Sequence, residues 1–257
     1  MKTAILSRCA TALLAVCAIH CAQAADEAIV TDRPDFVESS KVVGKGRLQL
    51  ETSLLLERDR HEAGRERSVA TPTLLRVGVH DDLELRVETD GRIHVQGGGS
   101  GHADTSLGLK WHTMDARGGL PSVGVLLHAE LPSGSRAFRG SGVRPSLRVA
   151  GEWELPSGMS LGVMPGLGRE RDDEGRRYTF GVLGVVLGKE VNERLRGFAE
   201  VALPQIARGR HGGTQASFDV GAAYLLSKSC QVDAMFSRGL NSRTPDTAFT
   251  IGLSFKR

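Results

Sequence analysis

The chain has 257 residues, 40% hydrophobic and 25% charged, with 32 Gly but only 8 Phe, 2 Trp and 2 Tyr; the formal net charge is +3 and the mean hydropathy −0.16. These values exclude a polytopic helical membrane protein, which needs repeated apolar runs of about 20 residues. They also exclude a disordered chain, because apolar residues are plentiful and net charge is small, but not a membrane β-barrel, whose alternating strands average to a mean near zero.

Lys2 and Arg8 open the chain, residues 10–19 are apolar, and Ala22-Gln23-Ala24 follows. This is the pattern of a secretory signal peptide and is too short to span as a helix. Cleavage after Ala24 leaves 233 residues with 31 Lys+Arg against 30 Asp+Glu. The basicity belongs to the leader, so nothing points to nucleic acid. Cys9, Cys17 and Cys21 leave with it, and Cys230 alone cannot form an internal disulfide. The expected organisation is a signal peptide (1–24), an N-terminal segment that is periplasmic or plug-like (25–46), and a barrel (47–257).

From residue 48 onward the period is two. Leu48, Leu50, Thr52, Leu54 and Leu56 share one parity, while Gln49, Glu51, Ser53 and Glu57 share the other. In a strand these sets point to opposite faces; a helix would spread the charges around its circumference. Residues 69–79 continue with Val69, Thr71, Thr73, Leu75, Val77 and Val79, and residues 83–90 with Leu83, Leu85, Val87 and Thr89 against Glu84, Arg86, Glu88 and Asp90. Similar faces follow at 105–111, 123–131, 147–153, 161–167, 178–186, 195–203, 216–224, 230–236 and 249–255. In the 178–186 stretch both parities are apolar; Tyr178, Phe180, Val182, Gly184 and Val186 are assigned to the lipid face. The pattern predicts about twelve strands of roughly 9–11 residues, the length that crosses a bilayer at a tilt.

The connections alternate in length. Longer ones fall at 59–67, 92–104, 132–142, 170–176, 204–214 and 239–246, and shorter ones at 81–82, 115–119, 155–158, 189–194 and 227–229. An even-stranded meander with loops sorted by end describes an all-β, antiparallel up-and-down transmembrane barrel, with outer-membrane lipid around it. A soluble periplasmic β protein, the competing architecture, has no reason to sort them.

The inward parity carries Glu51, Arg76, Glu84, Arg86, Glu88, Lys110, His128, Glu130, Arg148, Glu152, Arg196, Glu200, Asp219 and Asp233. Apart from His128, these are the candidate pore-lining and selectivity residues. Two readings stand open: a mixed-charge lumen that small-molecule solutes traverse, or a structural ladder of ion pairs with a closed lumen.

The segment before the first strand reads Thr31-Asp32-Arg33-Pro34-Asp35-Phe36-Val37-Glu38-Ser39, followed by Gly46-Arg47-Leu48-Gln49-Leu50-Glu51. Near the other end stand Gln231-Val232-Asp233, Arg238-Gly239-Leu240-Asn241, Pro245-Asp246 and Gly252-Leu253-Ser254-Phe255, with Asp104 and Gly108-Leu109-Lys110 as a weaker anchor between. In these stretches the chain resembles the outer-membrane transporter family named after the meta-pathway of phenol degradation. The resemblance implies an outer-membrane channel or transporter, with hydrophobic or aromatic compounds suggested by the family's name alone. Barrels of this kind usually end on an aromatic residue that the barrel-assembly machinery reads; here Phe255 is followed by Lys256 and Arg257. Thr31, Asp32, Arg33, Pro34, Asp35, Phe36, Glu38 and Ser39 form the motif. They make either a periplasmic lead-in or a small plug whose charges pair with the lumen wall.

Catalytic and metal motifs are weak. Gly158-Met159-Ser160-Leu161-Gly162 spells G-x-S-x-G, but a nucleophile elbow needs strand, sharp turn and helix. Residues 97–101 lack the Lys-Ser/Thr of a phosphate loop and read as a flexible outer loop. The histidines show no metal-ligand spacing, so no metal or cofactor is expected. The rival class is a barrel enzyme, a lipid or ester hydrolase using Ser160 and His128, but no Asp or Asn is placed to orient the histidine.

Overall fold

The computed structural model describes residues 27–61, 64–172 and 174–257; the expected signal peptide lies outside the described residues. Fifteen extended stretches run in chain order: β1 (Leu48–His61), β2 (Gly64–Ala70), β3 (Thr73–Gly78), β4 (Leu83–Thr89), β5 (Arg92–Val95), β6 (Gly99–His102), β7 (Thr105–Met114), β8 (Ser122–Leu131), β9 (Arg144–Leu155), β10 (Met159–Arg171), β11 (Arg177–Asn192), β12 (Leu195–Ile206), β13 (Gln215–Ser227), β14 (Cys230–Gly239) and β15 (Thr247–Lys256).

They make twelve staves, because three staves are each interrupted once. β2 and β3 both pair with β1 and are separated by Thr71-Pro72. Proline has no N–H to give the ladder, so the break falls there. β4 and β5 are parted at Asp90-Gly91, and β6 and β7 at Ala103-Asp104. The described ladders are antiparallel, and β15 returns to β1 over ten paired positions, from Gln49↔Lys256 to Arg58↔Thr247. Closure leaves no sheet edge, as hydrocarbon demands.

The outer surface follows the alternation. Leu50, Leu75, Val87 and Leu107 occupy consecutive paired positions on β1, β3, β4 and β7, and all four are exposed. Leu109, Leu127 and Leu147 form a second such row. In water so continuous an apolar surface would drive association; around a barrel it is the belt that faces lipid.

One face differs from the sequence expectation. On β11, Val182, Gly184 and Val186 are buried and point inward, while Val185 and Leu187 are exposed. The lipid face assigned to residues 178–186 is therefore reversed. Val163↔Val185 and Leu161↔Leu187 fix the parity, because directly paired residues share a face.

Several expected loops are sheet. β1 has 14 residues and β11 has 16, well beyond the expected length. The glycine run at 97–101 supplies a turn and the β6 strand of a β5–β6 hairpin rather than a loose loop. These extensions rise past the apolar belt, where both faces are wet and the sequence loses its period.

A charge on the lipid face at mid-bilayer is costly. Val185→Arg is expected to lower folding stability in bilayers by about 2–4 kcal/mol, whereas inward Val182→Gln costs less; urea titrations in lipid vesicles check both.

Candidate functional site

The N-terminal segment lies inside the barrel. It enters at the end that carries the short connections, where the Ile29 amide donates to the Lys228 carbonyl at 2.7 Å. It leaves at the same end, where the Gly46 amide donates to the Gly78 carbonyl at 2.8 Å. Between these points it forms a loop held by the wall.

Asp32 is the hub. Its carboxylate receives Lys110 Nζ at 2.6 and 2.7 Å and Arg86 Nη1 at 2.5 Å; Arg76 Nη1 stands 3.3 Å away. The Ser39 amide also donates to it, at 3.0 Å, closing the loop on itself. These three cations stand on β3, β4 and β7. Arg76 in turn donates to Glu84 at 2.8 Å and to Glu51 at 3.0 Å, so three wall cations and two wall carboxylates join Asp32 in one connected cluster. Arg76, Lys110, Glu51 and Glu84 are each 0% exposed. Burial pushes the Asp32 carboxyl up, but Arg76, Lys110 and Arg86 outweigh it and hold the group well below the usual carboxylate range.

The other charges of the motif are matched one by one. Glu38 accepts from Arg86 at 2.6 Å and from Arg148 at 3.1 Å. Asp35 accepts from Arg196 at 2.8 and 2.9 Å, and Arg33 donates to Asp233 at 3.2 Å. The Phe36 and Val37 amides donate to Glu200, each at 2.8 Å. The Ser40 amide donates to Glu152 at 2.6 Å. Thr31 accepts from Gln231 at 2.8 Å, and Pro34 lines a cavity beside Arg33 and Asp35. A buried charge is stable only when paired and hydrogen-bonded, and here wall carboxylates also receive backbone amides that a loop inside a barrel cannot offer to water.

An apolar core sits among these charges. Val37 packs with Leu126, Ala150, Met164, Val186 and Phe198, and Phe36 lies against the cluster. The wall makes room with glycine. A Cβ at Gly124 would stand 2.8 Å from the Ser40 carbonyl oxygen, and one at Gly184 would stand 2.6 Å from Val37 Cγ2.

Beyond the segment, toward the long connections, two adjoining cavities of about 260 and 240 Å³ share Glu88, Thr89, Asp90 and Arg148. The first is floored by the segment through Asp32, Asp35 and Phe36; the second is lined by His128, Glu130, Arg144 and Glu170. Asp104 anchors this end: it accepts from the Gly134 and Gly140 amides at 2.7 and 2.8 Å and from Arg144 at 3.0 Å. Burial opposes its ionisation, yet those amides and Arg144 leave its carboxyl lowered.

Of the inward charges, all but Asp219 fall into two groups. Glu51, Arg76, Glu84, Arg86, Lys110, Arg148, Glu152, Arg196, Glu200 and Asp233 are gathered on or around the segment. Glu88 and Glu130 line the outer cavities instead, and Asp219 accepts from Ser217 at 3.1 Å. Sequence reasoning missed Ser40, Val37 and the wall glycines. Gly78, Gly124, Gly184 and Gly252 stand on inward strand positions, where a glycine often marks the close approach of another backbone.

His128 and Ser160 are not brought together. His128 and Gly168 both pair with Ser146, and Ser160 lies eight residues before Gly168 on β10, which is about 26 Å along the strand. The G-x-S-x-G stretch opens a strand rather than a helix. Among the described residues no group of three or more His, Cys, Asp or Glu is placed to hold a metal.

A family model described as "Putative MetA-pathway of phenol degradation" matches residues 31–256. The chain belongs to this family. No curated protein matches it in sequence. Among solved structures it is similar to the COG4313 outer membrane channel from Pseudomonas putida F1, with 13% identity, a TM-score of 0.62, and coverage of 92% of this chain and 99% of that one. It is also similar to the NanC porin (12% identity, TM-score 0.57, 80% and 98% coverage) and to the KdgM porin (13% identity, TM-score 0.53, 80% and 98% coverage). At such identities the likeness is one of fold. Together with the closed sheet and its apolar belt, it identifies an outer-membrane β-barrel.

Removing one partner of a buried ion cluster strands the others. Asp32→Asn is expected to destabilise the barrel by about 3–5 kcal/mol at neutral pH. Because the folded carboxyl is lowered, its contribution is complete above an unfolded pKa of about 4 and is lost as pH falls below it. Unfolding titrations of both proteins across pH should therefore show their difference shrinking in acid. Gly124→Val should cost about 1–3 kcal/mol in the full chain and nothing comparable once residues 29–43 are removed.

Proposed function

We propose that this barrel is a channel for small solutes across the outer membrane, and that residues 29–43 act as its plug. The observation that carries the reading is the capture of Asp32 by Arg76, Arg86 and Lys110, which fills the lumen at that level with fully buried charge. Solutes arriving from the long-connection end would meet the paired cavities first. Glu88, Glu130, Arg144 and Arg148 would there select by charge. The family's description ties its members to phenol degradation, so phenolic and other aromatic compounds are the solutes to test first.

The arrangement favours passage over catalysis, since the wall groups are spent on holding the segment and Ser160 stands far along the wall from His128. A plug must also be displaceable. Once the loop leaves, water can enter the lumen and solvate the wall charges that the loop had paired.

Planar-bilayer recordings test the reading. Deleting residues 29–40 is expected to raise single-channel conductance several-fold while the barrel keeps its β-sheet signature. Unchanged conductance in a folded barrel sinks the plug. Absence of aromatic-solute uptake in both proteins would turn the reading toward a structural barrel.

A further inference from the structure

The β1–β2 hairpin, at the long-connection end, sorts its charges by face. In register, Arg58 stands opposite Arg67 and Arg60 opposite Arg65, while Asp59 stands opposite Glu66. Directly paired residues lie on the same side of a ladder with Cβ atoms about 5 Å apart, and like charges there are destabilising. Swapping one arginine of each pair with an acid would remove the repulsion, yet the hairpin keeps four arginines on one face and acids on the other.

The arginine face is the outward one, since Leu54 and Leu56 precede Arg58 and Arg60 on the same parity and are exposed. Arg58, Arg60, Arg65 and Arg67 are all exposed. Among the described residues Arg58, Arg65 and Arg67 have no ion-pair partner; Arg60 has Asp246 at 3.4 Å. The row continues across the seam: Arg67 pairs with Arg58, Arg58 with Thr247 and Thr247 with Arg238. Two residues nearer the bilayer centre, Val69, Leu56, Phe249 and Phe236 form a parallel apolar row on the same four strands.

We propose that this face binds a phosphorylated glycolipid of the outer leaflet. Its phosphates sit between Arg58, Arg67 and Arg238, and its acyl chains lie on Leu56, Phe236 and Phe249. Guanidinium groups bind phosphate in bidentate fashion, and a dianion placed between Arg58 and Arg67 turns a repulsion into two attractions. The adjacent apolar row selects an acylated phosphate over a free one. The assignment rests on the barrel standing in the outer membrane with its long connections outward, and not on its conducting anything.

The test uses the full chain in detergent micelles, with bisphosphorylated lipid A as probe and native mass spectrometry as readout. The Arg58→Gln, Arg67→Gln double variant is expected to retain lipid A at least tenfold more weakly, and Arg194→Gln, at a turn on the opposite end, to match the parent protein. Dephosphorylated lipid A should bind weakly to all three. Equal retention by the double variant overturns the proposal, as does equal protection by inorganic phosphate, which would indicate a free-anion site. Arg67→Glu sets opposite charges face to face; it should raise the thermal midpoint without lipid and weaken lipid A binding. A fall in the midpoint would assign the arginines a structural role instead and overturn the lipid site.

Discussion

Every backbone amide at membrane depth must find its partner within the chain. Hydrocarbon supplies none, and each unmatched group costs several kcal/mol. The pairing of β1 with β15 meets this constraint for the wall. The same constraint governs the segment inside. Its loop has no ladder of its own, so wall carboxylates take the place of water: Glu200 receives two successive amides, Glu51 the Asp32 amide, Glu152 the Ser40 amide and Glu84 the Val43 amide. Those carboxylates in turn need cations, and Arg76, Arg86 and Lys110 stand among them. The polar lumen is thus a scaffold shaped around one particular loop.

That arrangement explains which parts were legible in the sequence. The alternation of Leu48 to Leu56 with Gln49 to Glu57 is clear because lipid lies on one side and charge on the other. The β11 strand defeats the same logic. Val186 faces inward yet stays apolar, because Val37 brings a small hydrophobic core into the lumen beside Val186, Phe198 and Met164. Above the belt the logic fails again: residues 57–61 and 64–67 are charged on both parities because both faces meet water.

The site was legible as a face and not as a set of partners. Parity puts Arg76, Glu84, Arg86 and Lys110 inward, but it says nothing of height along the strand or of what crosses the lumen. The charged motif at 31–39 suggested pairing with the wall. In the folded barrel Asp32 draws three cations while Arg33, Asp35 and Glu38 reach toward different strands. Inward glycines were the overlooked clue, since Gly124 and Gly184 lie where the segment's backbone and side chains press against the wall.

The segment also spans the seam of the barrel. On one flank Asp32 and Val30 contact Glu51 and Gln49 of β1; on the other, Thr31 and Arg33 contact Gln231 and Asp233 of β14, with Ile29 bonded to Lys228 beside it. The loop thus ties β1 to β14 across the intervening β15 and its seam with β1, so it also works as an internal clasp, and unfastening it would loosen the hoop.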